Sequence, residues 1–278
     1  MPISIKAQKI NPVKRLAKAL HNYTKHSSKC FVVGGFVRDE LLGIKPNDVD
    51  LEVFGVSQNA LDKIVRKTFP KTAITQSKKF GTWNILFKSG IKSILKPGSR
   101  LVGRDDKTGA LIPNKVHIGK IQNYAINISL PRTETKTGKG YFGFNIQLDT
   151  ALSIEQAASR RDFTINALYL DPLTGKIIDP CKGLKDIQTS TLRAVNLGTF
   201  SDDPLRLYRA IQLVARFSLR VEPKTLELLK KMAKNPEIRT LSAKRVESVL
   251  RKMYTKNSNP KLGLELAQKL NLSLPNIS

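Results

Sequence analysis

Apolar positions along the chain change period several times, and the changes mark out its elements. Val13, Leu16, Ala17 and Leu20 recur at helical spacing and predict a helix over 11–26. Cys30-Phe31-Val32-Val33 is a short apolar run that predicts a strand, and 48–54 predicts a second, with a glycine turn and a short helix over Val37–Leu42 between them. Leu61–Phe69 is amphipathic at helical period, whereas Phe80–Phe87 and Tyr124–Leu130 alternate as half-buried strands do. Ser153–Ser159 begins a helix, and Gly175–Pro180 reads as a strand and turn. From Pro204 the period stays helical, over 204–217, 223–233, 242–254 and 260–270, with Pro204 at the first helical position behind an acidic cap.

Two stretches break the pattern. Residues 88–122 are rich in Lys, Gly and Ser with weak strand signals at Lys115–Ile118, and predict an inserted hairpin or basic loop. Thr133–Gly143 predicts a polar, glycine-bearing loop. The sum is an α+β chain: a mixed sheet with helices over 1–197, then an all-helical part over 198–278, with the boundary near Leu197–Ser201 and no internal repeat.

Charge narrows the partner. The chain has 278 residues and 40% hydrophobic content, enough for one large or two modest cores. It carries 48 Lys+Arg against 22 Asp+Glu, a net +26. Self-repulsion of that size is offset when the partner is a polyanion, and nucleic acid is the expected one. Cys30 and Cys181 lack metal-ligand neighbours, and His21, His26 and His117 do not cluster. No run is apolar enough to span a membrane, and the acid-free stretch before Asp39 reads as a folded helix, so a cytoplasmic protein is expected.

Three segments carry candidate chemistry. Gly34-Gly35-Phe36-Val37-Arg38-Asp39 precedes Asp48-Val49-Asp50. Acids at i and i+2 of a strand share a face and can share divalent cations, and glycines let backbone N–H groups approach a phosphate. Asp48 and Asp50 are the candidate metal ligands, with Glu52 next on that face and either joining them or sitting at the edge. Arg160-Arg161-Asp162-Phe163-Thr164-Ile165-Asn166-Ala167-Leu168 offers fork-shaped donors to a triphosphate. There Asp162 can orient the arginines, Asn166 can reach a ribose or phosphate oxygen, and Phe163, Ile165 and Leu168 belong to the core. Asp203 and Arg206 lie i,i+3 at a helix start, with Arg209 one turn on. An acceptor beside a donor matches the edges of cytosine and adenine and excludes uracil and guanine. The competing reading is an ordinary helix cap.

In order, these segments resemble the class II CCA-adding tRNA nucleotidyltransferases and their poly(A) polymerase relatives over roughly residues 12 to 255. The resemblance rests on GGFVRDELLG with DVDLEVFG, on RRDFTINAL, and on GKIIDPCKGLKDI through Leu192-Arg193-Ala194-Val195. It rests also on Asp202-Asp203-Pro204-Leu205-Arg206 and on Ser242-Ala243-Lys244-Arg245-Val246-Glu247. It implies a nucleotidyltransferase head, a helical neck and body and tail domains largely absent, and two Mg²⁺ ions held by Asp48 and Asp50. It implies Gly34, Gly35, Arg38, Arg160, Arg161, Asp162 and Asn166 on the nucleotide, and Asp203, Arg206 and Arg209 on the base. The implied activity is addition of C and A from CTP and ATP to tRNA, gripped at its acceptor and T-stem region. Lys88, Lys92, Lys96, Arg100 and Arg104 are candidate RNA contacts. An A-adding enzyme or poly(A) polymerase is the alternative within the class, and a catalytically weakened RNA-binding protein the alternative outside it. The strand ending in Leu130-Pro131-Arg132 carries Asn127 where the family commonly has an acid, so that acid's role is lost or passes to Glu52.

Overall fold

The computed structural model describes residues 12–25, 28–44, 46, 48–70, 72–87, 102–104, 111–113, 124–138, 143–255 and 258–275. They fall into two compact units that interleave along the chain. The first is drawn from Met1–Thr133, Ile146–Ala157 and Asn166–Pro180, the second from Glu134–Asn145, Ala158–Ile165 and Cys181–Ser278.

The first unit begins with α1 (Pro12–Tyr23), β1 (Lys29–Val33), α2 (Gly35–Leu41), β2 (Val49–Phe54), α3 (Gln58–Thr68), β3 (Ala73–Ser77) and β4 (Thr82–Phe87). A short antiparallel pair follows, β5 (Val102–Arg104) with β6 (Leu111–Pro113). This pair lies within the stretch expected as an inserted hairpin or basic loop. The strand signals at Lys115–Ile118 lie outside the described residues. Next in the chain come β7 (Tyr124–Ser129), then β8 (Arg132–Lys136), β9 (Phe144–Leu148) and α4 (Ile154–Ser159), whose residues divide between the two units, then β10 (Tyr169–Leu170) and β11 (Ile177–Ile178). Seven strands form one mixed sheet in the order β11-β10-β1-β2-β7-β4-β3, in which only β2 and β7 run parallel.

The helical stripe of α1 is buried as its spacing requires, at Val13, Leu16, Ala17 and Leu20. Along β2, Val49, Leu51 and Val53 are buried on one face, while the other face becomes progressively covered toward Phe54. In β7 and β4, Ile126, Ile128, Trp83 and Ile85 are buried, and Asn127 and Asn84 on the opposite face are half-buried. That partly open face positions the site.

The second unit holds α5 (Gly183–Gln188), β12 (Thr191–Leu192), α6 (Leu205–Phe217), β13 (Arg220–Val221), α7 (Pro223–Ala233), α8 (Ala243–Leu250) and α9 (Pro260–Lys269). Its core gathers Phe163, Phe200, Leu207, Ile211, Leu229, Leu250 and Met253. Glu222 caps α7 by accepting from Thr225 N at 2.8 Å, with Pro223 as the first helical residue.

Three expectations need correction. The part over 198–278 is not all helical, because β13 lies within it and pairs in parallel with β12. Thr133–Gly143 is not all loop, because β8 extends through Lys136 and pairs with β9. Its Arg-Thr-Glu-Thr-Lys sequence alternates exposure without apolar residues, so hydrophobic period could not find it. At the start of α6, Pro204 is the cap residue, and helical bounds begin at Leu205.

Candidate active site

Asp48 immediately precedes β2 and Asp50 is its second residue, and alternation carried one residue beyond the strand would put both side chains on one face. Exposure falls along that face: Asp48 is exposed, Asp50 half-buried and Glu52 0% exposed. Glu52 accepts from Tyr169 Oη at 3.1 Å. It lies in the same alternating row as Phe54 and directly opposite Phe31. The rings of Phe31, Phe54 and Tyr169 pack edge-on or tilted, with centroids 5.9–6.3 Å apart. The expectation that Glu52 joins the metal ligands, or inherits the role of a third acid, is therefore not met. Its carboxylate is sealed at the covered end of the row.

The row through Asp50 continues sideways. Asn127 is its register partner on β7, and Asn84 is the partner of Asn127 on β4. Asn127 Nδ2 donates to Asp50 Oδ1 at 3.0 Å, and Asn84 Nδ2 donates to Asn127 Oδ1 at 2.6 Å. Sequence reasoning missed Asn84. It sits in a correctly read strand, but nothing local tells which neighbour it faces.

The antiparallel register pairs Val33 with Asp50, which brings the end of β1 and the turn after it beside the start of β2. Gly34 makes that turn at φ 71°, ψ −140°, where a Cβ is strongly disfavoured. A Cβ on Gly35 would lie 3.2 Å from Arg38 Nη2. Arg38 is only 5% exposed. Its Nε and Nη2 donate to Asp39 Oδ1 at 2.9 and 2.6 Å, and its Nη1 donates to Asn166 Oδ1. Arg38 and Asn166, expected on the nucleotide, are joined to each other in a buried position behind the glycine turn. Glu40, on the same helix, has its carboxyl pushed up to about 8 by burial and by Asp39, and its Oε2 has no hydrogen-bond partner.

The second unit carries the remaining predicted residues. Arg160 Nη1 lies 3.5 Å from Glu134 Oε1. Arg161 is half-buried, and its N–H closes a turn onto Ala158 O at 2.9 Å. Asp162 orients Arg209: Arg209 Nε and Nη2 donate to its Oδ2 at 2.6 and 2.5 Å, while its Oδ1 accepts from Phe163 N at 2.8 Å. Backbone bonds Thr164 N to Arg193 O and Val195 N to Asp162 O, each 3.0 Å, tie this turn to the Arg193–Val195 segment. Asp203 Oδ1 accepts from Leu205 N at 3.0 Å, a capping contact. Arg206 donates to Arg160 O at 2.7 Å and to Thr199 O at 3.4 Å, and its guanidinium lies 5.4 Å from the Phe200 ring centre. Lys88, Lys92, Lys96 and Arg100 lie outside the described residues, and Arg104 ends β5.

Residues 30–193 match the family described as the poly A polymerase head domain. The chain belongs to that family. The head-domain match spans the glycine turn, the acidic pair and the arginine–asparagine segment together. A Multifunctional CCA protein of Neisseria gonorrhoeae is 32% identical over 250 residues, covering 89% of this chain and 50% of that protein. The chain thus spans about half the length of the curated relatives it matches. The Thermotoga maritima CCA-adding enzyme complexed with tRNA superposes with a TM-score of 0.65 at 24% identity, covering 95% of this chain and 52% of that one, a likeness of fold. A CCA-adding enzyme solved with ATP gives a TM-score of 0.65 at 25% identity, with the same coverage of 95% and 52%.

Proposed function

We propose that this chain is a template-independent tRNA nucleotidyltransferase, adding C and A to tRNA 3′ ends from CTP and ATP and releasing pyrophosphate. The observation that carries the reading is the Asp48/Asp50 pair beside the Gly34 turn on adjacent strands. The relatives, a Multifunctional CCA protein and a CCA-adding enzyme solved with ATP, support the substrate class.

The donor set fits Mg²⁺. Among the described residues no three His, Cys, Asp or Glu cluster into a cage. Mg²⁺ characteristically uses one or two carboxylates together with substrate phosphates and retained waters. Asp48 and Asp50 would hold it, and when bound it supplies an activated hydroxyl nucleophile and neutralises charge at the α-phosphate. The remaining work falls to the chain. The Gly34-Gly35 turn, braced by Arg38 and Asn166, presents backbone N–H groups to the triphosphate. Arg160 and Arg161 supply guanidinium donors, with Asp162 and Arg209 fixing the turn that carries them. Asp203 and Arg206 read the base edge. On this reading residues 1–197 are head and 198–278 neck, with the tRNA acceptor and T-stem region held by basic surface. No helix among the described residues is long and apolar enough to cross a membrane. The proposed tRNA substrate is what places the activity in the cytoplasm.

The test is incubation with tRNA ending before CCA, Mg²⁺ and each NTP singly, then sequencing of the 3′ ends. CCA ends support the reading. Tails of A alone identify a poly(A) polymerase or A-adding enzyme, and RNA binding without incorporation identifies a retired enzyme.

A further inference from the structure

We infer that Asn84 and Asn127 form a two-amide relay that positions the Asp50 carboxylate, so that it would offer a divalent cation one oxygen rather than two. The inference rests on the metal role proposed above for Asp50. An ionised carboxylate only accepts hydrogen bonds, so the Asn127 amide must turn its Nδ2 toward Asp50. That leaves Asn127 Oδ1 facing Asn84, which must then donate. The observed contacts, 3.0 Å from Asn127 Nδ2 to Asp50 Oδ1 and 2.6 Å from Asn84 Nδ2 to Asn127 Oδ1, follow this one polarity. The relay is built into the sheet, because the three residues are successive register partners across β2, β7 and β4.

Three consequences follow from chemistry. Asn127 places no third negative charge beside Asp50, so the cation meets a site of lower charge. With Oδ1 engaged by an amide N–H, two-oxygen chelation by Asp50 is disfavoured. Single-oxygen contact suits a small octahedral ion with short bonds, whereas Ca²⁺ readily takes carboxylates through both oxygens. Asn127 and Asn84 are thus positioning residues that favour Mg²⁺ over Ca²⁺. Removing such an outer partner typically weakens metal binding 10- to 100-fold.

The test reads metal binding directly. Mn²⁺ is titrated by electron paramagnetic resonance into the whole chain with a non-hydrolysable ATP analogue, then displaced by Mg²⁺ and by Ca²⁺. Asn127→Ala should weaken Mn²⁺ binding about 10- to 100-fold and narrow the Mg²⁺/Ca²⁺ preference. Asn84→Ala should lose less, and the double variant should match Asn127→Ala alone, since Asn84 acts only through Asn127. Asn127→Val, suited to a strand and lacking a donor, replaces Asn127→Ala should that variant fail to fold. A folded Asn127 variant with wild-type Mn²⁺ affinity and ion preference overturns the relay, as do fully additive losses in the double variant. Absence of Mn²⁺ binding to the wild-type chain overturns the metal reading itself.

Discussion

Arg38 Nη1 donates to Asn166 Oδ1 across 128 residues of sequence, joining the glycine-turn segment to the arginine–asparagine segment through two side chains that are both buried. The same guanidinium is paired with Asp39 at 2.6 Å, so all three of its nitrogens are committed. A buried charge held this way braces backbone more than it reaches for ligand. Asn166→Ala should therefore cost about 1–3 kcal/mol, the penalty of leaving a buried donor without its partner. Chemical denaturation gives that number. NTP affinity should fall together with stability, and a variant of unchanged stability that loses only NTP affinity would return Asn166 to direct ligand contact.

Asp48→Ala or Asp50→Ala should reduce nucleotide incorporation by at least about a thousandfold, a loss on the order of 4 kcal/mol of transition-state stabilisation. RNA binding should remain, because neither change removes basic surface. Gel-based incorporation and filter binding on the same preparations separate the two effects. Near-wild-type turnover by either variant contradicts the assignment.

Asp203 is expected to do two jobs. Its contact with Leu205 N predicts a stability loss of about 1 kcal/mol in Asp203→Ala. Its proposed base contact predicts relaxed rejection of UTP and GTP, since a site built to hydrogen-bond one edge rejects others by leaving polar groups unpaired. Asp203→Asn keeps a capping oxygen and alters the base-facing polarity, so single-nucleotide incorporation by that variant isolates the second job. Unchanged nucleotide preference in both variants leaves the cap as its sole role.

Glu40 should make the fold sensitive to alkali. Its folded pKa of about 8 lies above the ordinary carboxyl value of 4.5, so the folded state holds a proton that the unfolded chain releases between those values. Stability contributed by the neutral form is complete below about 4.5 and is lost as pH rises toward 8, by an amount on the order of a few kcal/mol. Thermal melts of the wild type should decline over that window more steeply than those of Glu40→Gln. Parallel profiles would show that Glu40 is not the group responsible.

Affinity for tRNA should fall steeply with salt, each phosphate contact adding about 0.7–0.9 to the log–log slope. The net charge of +26 motivates this. A shallow slope in fluorescence anisotropy would show that little of this charge meets phosphate.

What the sequence determined by itself is what repeats locally or is fixed by residue type. The stripe Val13, Leu16, Ala17, Leu20 specified α1, and the apolar runs specified β1 and β2. Asp50, Glu52 and Phe54 on one face followed from alternation alone, and the helical content after Pro204 followed from period. The tertiary structure decided everything that depends on which strand lies beside which, and in what register. Asn84 became a neighbour of Asn127, and Asn127 of Asp50, only through β4, β7 and β2 pairing. Glu52, indistinguishable from Asp50 by alternation, was removed from the site by Phe31, Phe54 and Tyr169 closing over its end of the face. Arg38 and Asn166 were joined into a buried pair in the same way. Burial and pairing are properties of distant segments brought together, and side-chain period carries no record of them.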